Sequence, residues 1–361
     1  MKIRNFVYTL GLTLIFFASS TFVQASEFNF AVNPIIPENQ INKESSYFDL
    51  KLAQNQKETL KVQLKNDTDK EIIIEADINS ATTNLNGVVE YSKNTIEPDE
   101  SLTYNLKDYT SIEPEIKLPA KTTIEVPINV SMPDKLFDGV MAGGITFKEK
   151  QTEEKTNSEE KGLAIKNEYS YVVALLIRQN EQPVESKLNL LDVGPSQVNA
   201  RNVINIQLQN PVARYINQLK LVGEITKKDD PKVKYTVDAE SLQMAPNSNF
   251  SYPVALNGQK LEPGNYHLHL LTYGNKNDKG SFSVNSKDGA ALKFSNQWEF
   301  DKDFSISGEV AEKYNKQDVT IEKEDNNDWL YWVIGLLLLI IAIMILFLIW
   351  KRKKKKDDET K

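Results

Sequence analysis

The sequence contains no cysteine and only two histidines among its 361 residues. The lack of cysteine excludes disulfides, thiol catalysis and thiolate metal sites. Because extracellular eukaryotic proteins of this size usually carry disulfides, it also favours a bacterial protein, most simply a Gram-positive one. His267 and His269 lie two residues apart in a predicted strand and therefore face the same side. No ligand cluster adjoins them in sequence, so we predict ordinary surface residues, with no metal and no cofactor.

The sequence motifs of common enzymes are missing as well. There is no phosphate-binding glycine loop, no Gly-x-Ser-x-Gly and no His-Glu-x-x-His. Carboxylates are numerous, and a glycosidase needs only two of them across a cleft, so a hydrolase stays open as the last-ranked alternative. The net charge is −7, and the part between the two chain ends is more acidic still, which disfavours nucleic-acid binding. The sequence therefore predicts a protein that is not an enzyme.

The N-terminus has the pattern of an export signal. Lys2 and Arg4 precede an apolar run at residues 6–18, and small side chains follow. We predict a signal peptide over residues 1–25, with cleavage between Ala25 and Ser26. An uncleaved anchor is the alternative, but the apolar run is too short to cross ~30 Å of hydrocarbon comfortably.

A second apolar stretch, at residues 329–350, carries no charge and is long enough to span a membrane. Aromatic residues mark its two ends as membrane-interface anchors, namely Trp329, Tyr331, Trp332 and Trp350. The basic tail at residues 351–361 predicts a cytoplasmic C-terminus and attraction to anionic membrane lipid. No Leu-Pro-x-Thr-Gly sorting motif precedes the span. We therefore expect a single-pass protein of the cell membrane, with its ectodomain outside in the cell-wall zone.

Between these ends the pattern is almost entirely that of short strands. Leu60, Val62 and Leu64 alternate with polar residues, and turns rich in Asn, Asp, Pro and Gly separate such segments. We predict an all-β fold: two tandem immunoglobulin-like β-sandwich domains plus one C-terminal transmembrane helix. The predicted bounds are residues 26–182 and 183–308 for the domains, 309–328 for a polar stalk and 329–350 for the helix. A polar loop at 148–166 interrupts the first domain.

The two predicted domains echo each other in the order of their motifs. Residues 62–66 resemble residues 206–210, and each segment is followed by a turn and another strand. Pro119 and Pro246 each precede a later strand that contains a further proline. This order indicates an internal repeat of one sandwich unit.

The spacing within the repeat differs in one place and indicates an insertion in the first domain, between residues 80 and 117. It carries Tyr91, Tyr104 and Tyr109. Because loops on a rigid sandwich often bind partners, these rings are our candidate contacts to a glycan or a protein partner. Packing within the sheet or core is the alternative for each ring.

Segments in both halves of the chain carry a family resemblance. They are residues 30–40, 47–50, 65–68 and 137–145 in the first half, and 210–211, 244–249, 261–266 and 298–300 in the second. In this order, and with the span and basic tail, they resemble the WxL-interacting surface proteins of Gram-positive bacteria. The resemblance covers nearly the whole chain after the signal peptide.

The resemblance implies a first domain that binds peptidoglycan, a second that contacts host surface or matrix proteins, and a secreted WxL-domain protein as partner. No tryptophan in the chain is followed two residues later by leucine, so the chain is expected to be the anchor for that partner. The leading hypothesis is a non-enzymatic, membrane-anchored surface scaffold or adhesin. A tandem-sandwich chaperone or receptor that captures a partner strand at an open sheet edge is the second hypothesis, and a tethered cell-wall hydrolase is the third.

Overall fold

The structure is a computed structural model and describes residues 29–151, 169–321 and 328–358. The predicted signal peptide and its cleavage point at Ala25 and Ser26 lie outside the described residues. So do the end of the basic tail and most of the polar loop predicted at 148–166. Side chains of the C-terminal helix are described for residues 331–349.

The first half of the chain forms a sandwich of two sheets. The four-stranded sheet contains, in spatial order, β1 (Phe30–Ile35), β3 (Lys57–Asn66), β9 (Thr123–Ser131) and β7 (Thr110–Ser111). The five-stranded sheet contains β2 (Phe48–Lys51), β11 (Ser170–Arg178), β10 (Met141–Glu149), β4 (Ile72–Ser80) and β8 (Glu115–Leu118). Neighbouring strands run antiparallel, except that β2 is parallel to β11.

The alternation of apolar and polar residues seen in the sequence determines which side chains form the core of this sandwich. Leu60, Val62 and Leu64 of β3 are each at most 1% exposed. Leu60 lies opposite Ile128 of β9, and both belong to the same buried cluster. Burial of each such side chain stabilises the fold by roughly 1.5–3 kcal/mol, and a slip of one residue would turn the whole apolar face to solvent.

The second half forms a similar sandwich. Its three-stranded sheet contains β12 (Asn189–Val198), β13 (Arg201–Asn210) and β16 (Ser248–Ala255). Its five-stranded sheet contains β15 (Asp230–Met244), β14 (Ile216–Lys227), β17 (Gly264–Lys276), β19 (Ala291–Ile306) and β18 (Phe282–Asn285). The two sandwiches confirm the predicted all-β fold with two tandem units. β11 pairs within the first sandwich, and the next strand, β12, begins at Asn189 in the second.

An asparagine at the same place in each sandwich confirms the internal repeat. Asn66 Nδ2 donates to the carbonyl oxygens of Lys70 and Leu118 at 2.8 and 3.0 Å. Asn210 Nδ2 donates to Arg214 O and to Ala245 O at 2.6 and 2.8 Å. Both asparagines are at most 1% exposed. Each therefore joins the turn that follows its own strand to the segment that precedes the next strand of the sheet.

The region predicted as a polar stalk differs from expectation over its first part. The structure places helix α2 at Gly308–Gln317, after a short helix α1 at Leu106–Tyr109 in the first half. Ser307 caps α2 by accepting a hydrogen bond from Val310 N at 3.2 Å. Ala311 of α2 is 2% exposed and packs against the second core. One buried alanine among charged neighbours is too weak an apolar pattern to distinguish this docked helix from a stalk.

Helix α3 at Asp328–Asp358 confirms the predicted C-terminal helix. Its residues Tyr331–Ile349 have a mean hydropathy of 3.3 and are unburied. Within the described ranges, this is the one helix long and apolar enough to cross a membrane.

Candidate functional site

The insertion in the first sandwich forms a layer between the two sandwiches. It begins with the hairpin of β5 (Thr82–Thr83) and β6 (Val89–Glu90) and ends with α1. Apolar packing joins Val89 of the hairpin and Ala142 of β10 to Ala245 of the second sandwich. The same junction has a buried hydrogen bond at 3.0 Å from Ala245 N to Thr83 Oγ1. The insertion thus fixes how the two sandwiches contact each other.

Asp99 is the charged centre of this junction. Its carboxylate accepts hydrogen bonds from Asn249 Nδ2 at 2.7 Å and from Gln209 Nε2 at 3.0 Å, both in the second sandwich. Burial alone would raise the pKa of Asp99, but hydrogen bonds from Ser101, Asn249 and Gln209 outweigh it and hold the pKa below 3.8. The carboxylate is therefore ionised at neutral pH and binds amide groups from across the junction.

A close backbone contact lies on the other side of the junction. Val140 N donates to Ala213 O at 2.8 Å. The neighbouring Gly139 has a φ of +89°, and a Cβ built on it would lie 2.1 Å from Ala213 O. Glycine is required here both for the left-handed backbone and for the close approach of the second sandwich.

The three candidate tyrosines lie in two places. Tyr91 contacts the second sandwich, with its hydroxyl 3.1 Å from that of Tyr215; burial raises the pKa of both phenols. Tyr104 and Tyr109 lie together, 5.9 Å between ring centroids, and Tyr104 is 4.7 Å from the ring of Phe137. All three side chains are half-buried. The structure therefore brings together Tyr104 and Tyr109 and leaves Tyr91 in the contact between sandwiches.

A polar cleft of about 290 Å³ opens beside this junction. Its wall combines asparagines of both sandwiches and of the insertion, namely Asn79, Asn94, Asn105, Asn247 and Asn249. Lys93, Lys107 and Asp99 add charges. Among the described residues, Asn79 Nδ2 is buried without a hydrogen-bond partner. Such a donor is costly unless a ligand or water satisfies it, and sequence reasoning missed it because nothing in the local sequence marks Asn79, near the end of β4, as having no partner.

The two histidines lie on the outer face of the second sandwich, as their spacing predicts. His267 and His269 of β17 pair in register with Asp303 and Asp301 of β19. His269 Nδ1 is 3.0 Å from Asp301 Oδ1, and His267 Nδ1 is 2.8 Å from Asp303 Oδ1. Sequence reasoning found no ligand cluster near the histidines, yet the neighbouring strand supplies carboxylates more than 30 residues away in the chain.

The membrane-interface candidates are described in part. Tyr331 and Trp332 are 75% and 82% exposed at the start of the apolar segment. The side chains of Trp329 and Trp350 lie outside the described part of the chain.

Solved structures with a remote likeness to the chain include pilus chaperones. The crystal structure of the class 5 fimbriae chaperone CfaA is 15% identical, with 74% of this chain and 100% of that chain covered and a TM-score of 0.28. The Salmonella enterica SafA pilin in complex with the SafB chaperone gives 10% identity, 76% and 97% coverage and a TM-score of 0.29. No curated protein matches the chain.

Two family matches cover most of the chain, and the second begins before β11, a strand of the first sandwich. Residues 30–149 match the peptidoglycan binding domain of WxL Interacting Protein, and residues 160–316 match its host binding domain. Both are binding domains, and together they cover more than half of the chain. The resemblance found in the sequence is thereby confirmed: the chain belongs to the WxL-interacting protein family and is a surface binding protein.

Proposed function

We propose that this chain is a non-enzymatic, membrane-anchored scaffold that holds peptidoglycan and a secreted WxL-domain protein beside the cell membrane. The observation that carries the proposal is the succession of a peptidoglycan-binding family match, a host-binding family match and an apolar helix in one chain. Two sandwiches fixed to each other by the insertion suit a scaffold, because a rigid junction keeps its ligands at a constant separation. Host surface or matrix proteins are further candidate ligands of the second sandwich.

The polar cleft beside the junction, which both sandwiches line, is the proposed glycan site. Sugars present hydroxyl and acetamido groups, which bind to amide donors and acceptors such as those of Asn79 and Asn94. The buried Asn79 Nδ2 without a partner supports a ligand with an acceptor at that point. Tyr104 and Tyr109 are not among the residues that line this cleft, and they stay candidate contacts through the exposed parts of their rings, which can stack on sugars.

Binding to insoluble peptidoglycan tests the main proposal. The purified protein in detergent is incubated with sacculi and sedimented, and the bound fraction is compared with that of an unrelated acidic β-sandwich protein. Clear excess binding without release of soluble muropeptides is expected. Binding no greater than that of the reference protein refutes peptidoglycan recognition, and release of muropeptides would support the hydrolase instead.

A pair of matched variants tests the position of the glycan site. Asn79→Asp replaces the unpartnered donor with an acceptor of similar size, and we expect about tenfold weaker binding to sacculi, the effect of one lost hydrogen bond. Asn129→Asp introduces the same charge on an exposed residue of β9 and leaves intact the bond that its Oδ1 accepts from Thr59. Equal binding by both variants would place the glycan site elsewhere.

The membrane orientation is tested by protease treatment of intact cells. With the ectodomain outside and the basic tail in the cytoplasm, external protease removes an N-terminal epitope and spares one attached after Lys361. Loss of the C-terminal epitope would contradict this orientation.

The partner is tested with WxL-domain proteins secreted by the same bacterium. Co-purification with this chain, lost when residues of the second sandwich are altered, is expected. If the WxL-domain protein still co-purifies after those residues are altered, the contact lies on the first sandwich.

A further inference from the structure

The outer face of the second sandwich gathers five metal-ligating side chains outside the junction and its cleft. His267 and His269 project from β17, while Glu299, Asp301 and Asp303 project from the adjacent β19. Because side chains alternate across a strand, residues two apart share a face. The pairing of His267 with Asp303, and of His269 with Asp301, then brings the two rows together.

The distances between the ligand atoms of this group are short enough for one small cation to bind them after small side-chain rotations. The ligand atoms of His269, Glu299 and Asp301 all lie within 4.8 Å of one another. His269 Nε2 is 4.0 Å from Glu299 Oε1. Two ligands of one zinc ion, each about 2.0–2.2 Å from it, are separated by at most about 4 Å. All three side chains are about half exposed, so small rotations bring them to this separation without disturbing the core.

The charges around the group favour a cation. Asp301 Oδ1 lies 3.0 Å from His269 Nδ1 and 3.2 Å from His267 Nε2. Lys228 Nζ donates to Asp303 Oδ2 at 2.5 Å. Lys228 is the one lysine bonded to the group among the described residues. Glu299, Asp301 and Asp303 thus place three carboxylates beside one lysine and two imidazoles.

The neighbouring strand on the other side adds a further carboxylate. Glu224 of β14 lies opposite His269, and Thr226 lies opposite His267. Glu224 is 3.3 Å from Lys234, which balances its charge. Polar side chains of β14 therefore flank the two histidines on this side, and each histidine side chain is 42% exposed.

We propose that His269, Asp301 and Glu299 bind a divalent transition-metal cation of the zinc class, with His267 holding Asp301 in place. Nitrogen from imidazole and oxygen from carboxylates form the donor set that zinc and its neighbours accept, whereas magnesium and calcium prefer oxygen alone. His267 Nε2 lies 3.2 Å from Asp301 Oδ1, the kind of contact by which a second layer of residues orients a metal ligand. The proposal is independent of peptidoglycan and WxL-protein binding.

The scarcity of histidine makes the test direct. The full chain has two histidines, so protein labelled with carbon-13 at histidine Cε1, in detergent micelles and without a polyhistidine tag, gives two ring signals. Titration with ZnCl₂ is expected to move the His269 signal strongly and the His267 signal less, whereas MgCl₂ moves neither. Isothermal titration calorimetry is expected to give one Zn²⁺ per chain at this site.

Variants decide whether the named residues hold the ion. His269→Ala and Asp301→Asn are expected to weaken Zn²⁺ binding about tenfold or more. Asp278→Asn, which alters an exposed acid of the same sandwich outside the cluster, is expected to leave it unchanged. Equal shifts with Mg²⁺ and Zn²⁺, no Zn²⁺ binding, or binding that survives both cluster substitutions overturns the proposal. Unchanged thermal unfolding of the metal-free variants shows that the fold is intact.

Discussion

At the scale of single residues, two buried asparagines perform the same task in the two sandwiches. Asn66 also accepts, through Oδ1, a hydrogen bond from Thr68 N at 2.8 Å, and so closes the turn that follows β3. Its Nδ2 bonds three carbonyl oxygens, those of Lys70, Leu118 and Pro119. A hydrophobic side chain of similar size would remove this donor from the buried Leu118 O, and would leave Lys70 O and Pro119 O only the hydroxyl groups of Thr68 and Thr122. This cost explains why a polar residue lies inside each core.

We predict that Asn66→Ala and Asn210→Ala each lower the free energy of unfolding by about 1–3 kcal/mol, because each leaves buried carbonyls unsatisfied. Denaturant unfolding of the purified protein measures the loss. Asn129→Ala, on an exposed position, serves as the control and is expected to change stability by less than about 0.5 kcal/mol. Losses for Asn66 and Asn210 no larger than that of the control would contradict the assigned role.

Gly139 allows a second prediction, since another glycine separates its two contributions. Gly139 and Gly289 have similar positive φ values, +89° and +82°, but a Cβ at Gly289 would meet nothing within 4 Å. Gly289→Ala is therefore expected to cost about 1–2 kcal/mol of backbone strain alone. Gly139→Ala adds a clash with Ala213 O at the junction, and we expect a larger loss in thermal unfolding. Equal losses of stability in the two variants would mean that the junction accommodates the added methyl group at no free-energy cost.

At the scale of elements, prolines restrict the edges of the two smaller sheets. β1 contains Pro34, β12 contains Pro195 and β16 contains Pro253, while the outer side of β9, paired with β7 only at Asn129 and Val130, contains Pro127. Proline cannot donate a backbone hydrogen bond to an incoming strand, and natural sheets use it to prevent edge pairing. The edge strands β2, β8 and β18 of the larger sheets contain no proline, so the strand-capture hypothesis would need a partner strand to pair there.

Helix α2 allows a third prediction. Asn315 Nδ2 donates to Leu261 O at 2.9 Å, and its Oδ1 accepts from Leu261 N at 2.8 Å. Buried Ala311 and the bond from Gln197 Nε2 to Tyr314 O also hold the helix to the sandwich. Asn315→Ala should loosen α2 and make residues 308–321 more sensitive to protease before global unfolding. Lys313→Ala, on the exposed side of the helix, should not. Equal cleavage rates in limited proteolysis would show that Asn315 does not hold the helix.

Elements with a strong apolar period were predictable from sequence, and those whose order depends on distant contacts were not. The alternation in β3 and β9 indicated a strand with one buried face in each case, and the structure shows those faces in the core. The pairing of the two strands and its register are seen only in the structure. Tyr91, Tyr104 and Tyr109 were predicted as candidate contacts on an insertion, with packing as the alternative. Tyr91 is half-buried against Tyr215 of the second sandwich, and Tyr104 and Tyr109 pack against the first core, contacts that local sequence does not reveal. The partners of Asp99 lie 110 and 150 residues away, and no spacing rule relates them.

At the scale of the whole molecule, the junction joins two cores that each have their own buried cluster. Its contacts are of several kinds: a buried hydroxyl pair between Thr83 and Ser248 at 2.7 Å, the Asp99 carboxylate, and the backbone contact at Gly139. Because they surround the insertion, we expect the two sandwiches to unfold together at neutral pH. The insertion thus contributes to the coupling of the domains, whatever it binds.

The pH dependence of that coupling gives a fourth prediction. The pKa of Asp99 is lower in the folded protein than its ordinary 3.8, so its contribution is fully present above that value. It is lost as the pH falls through the lowered, folded-state pKa.

Asp99→Asn removes the carboxylate that accepts hydrogen bonds from Gln209 and Asn249. This change should lower the melting temperature at neutral pH and separate the calorimetric transition into two. The difference from the wild type should begin to shrink as the pH falls below 3.8, and should disappear only below the lowered folded-state pKa, where the wild-type carboxylate is protonated as well. Asp69→Asn removes an exposed charge outside the junction and should leave a single transition; a single transition in Asp99→Asn too would show that the apolar and backbone contacts suffice to couple the sandwiches.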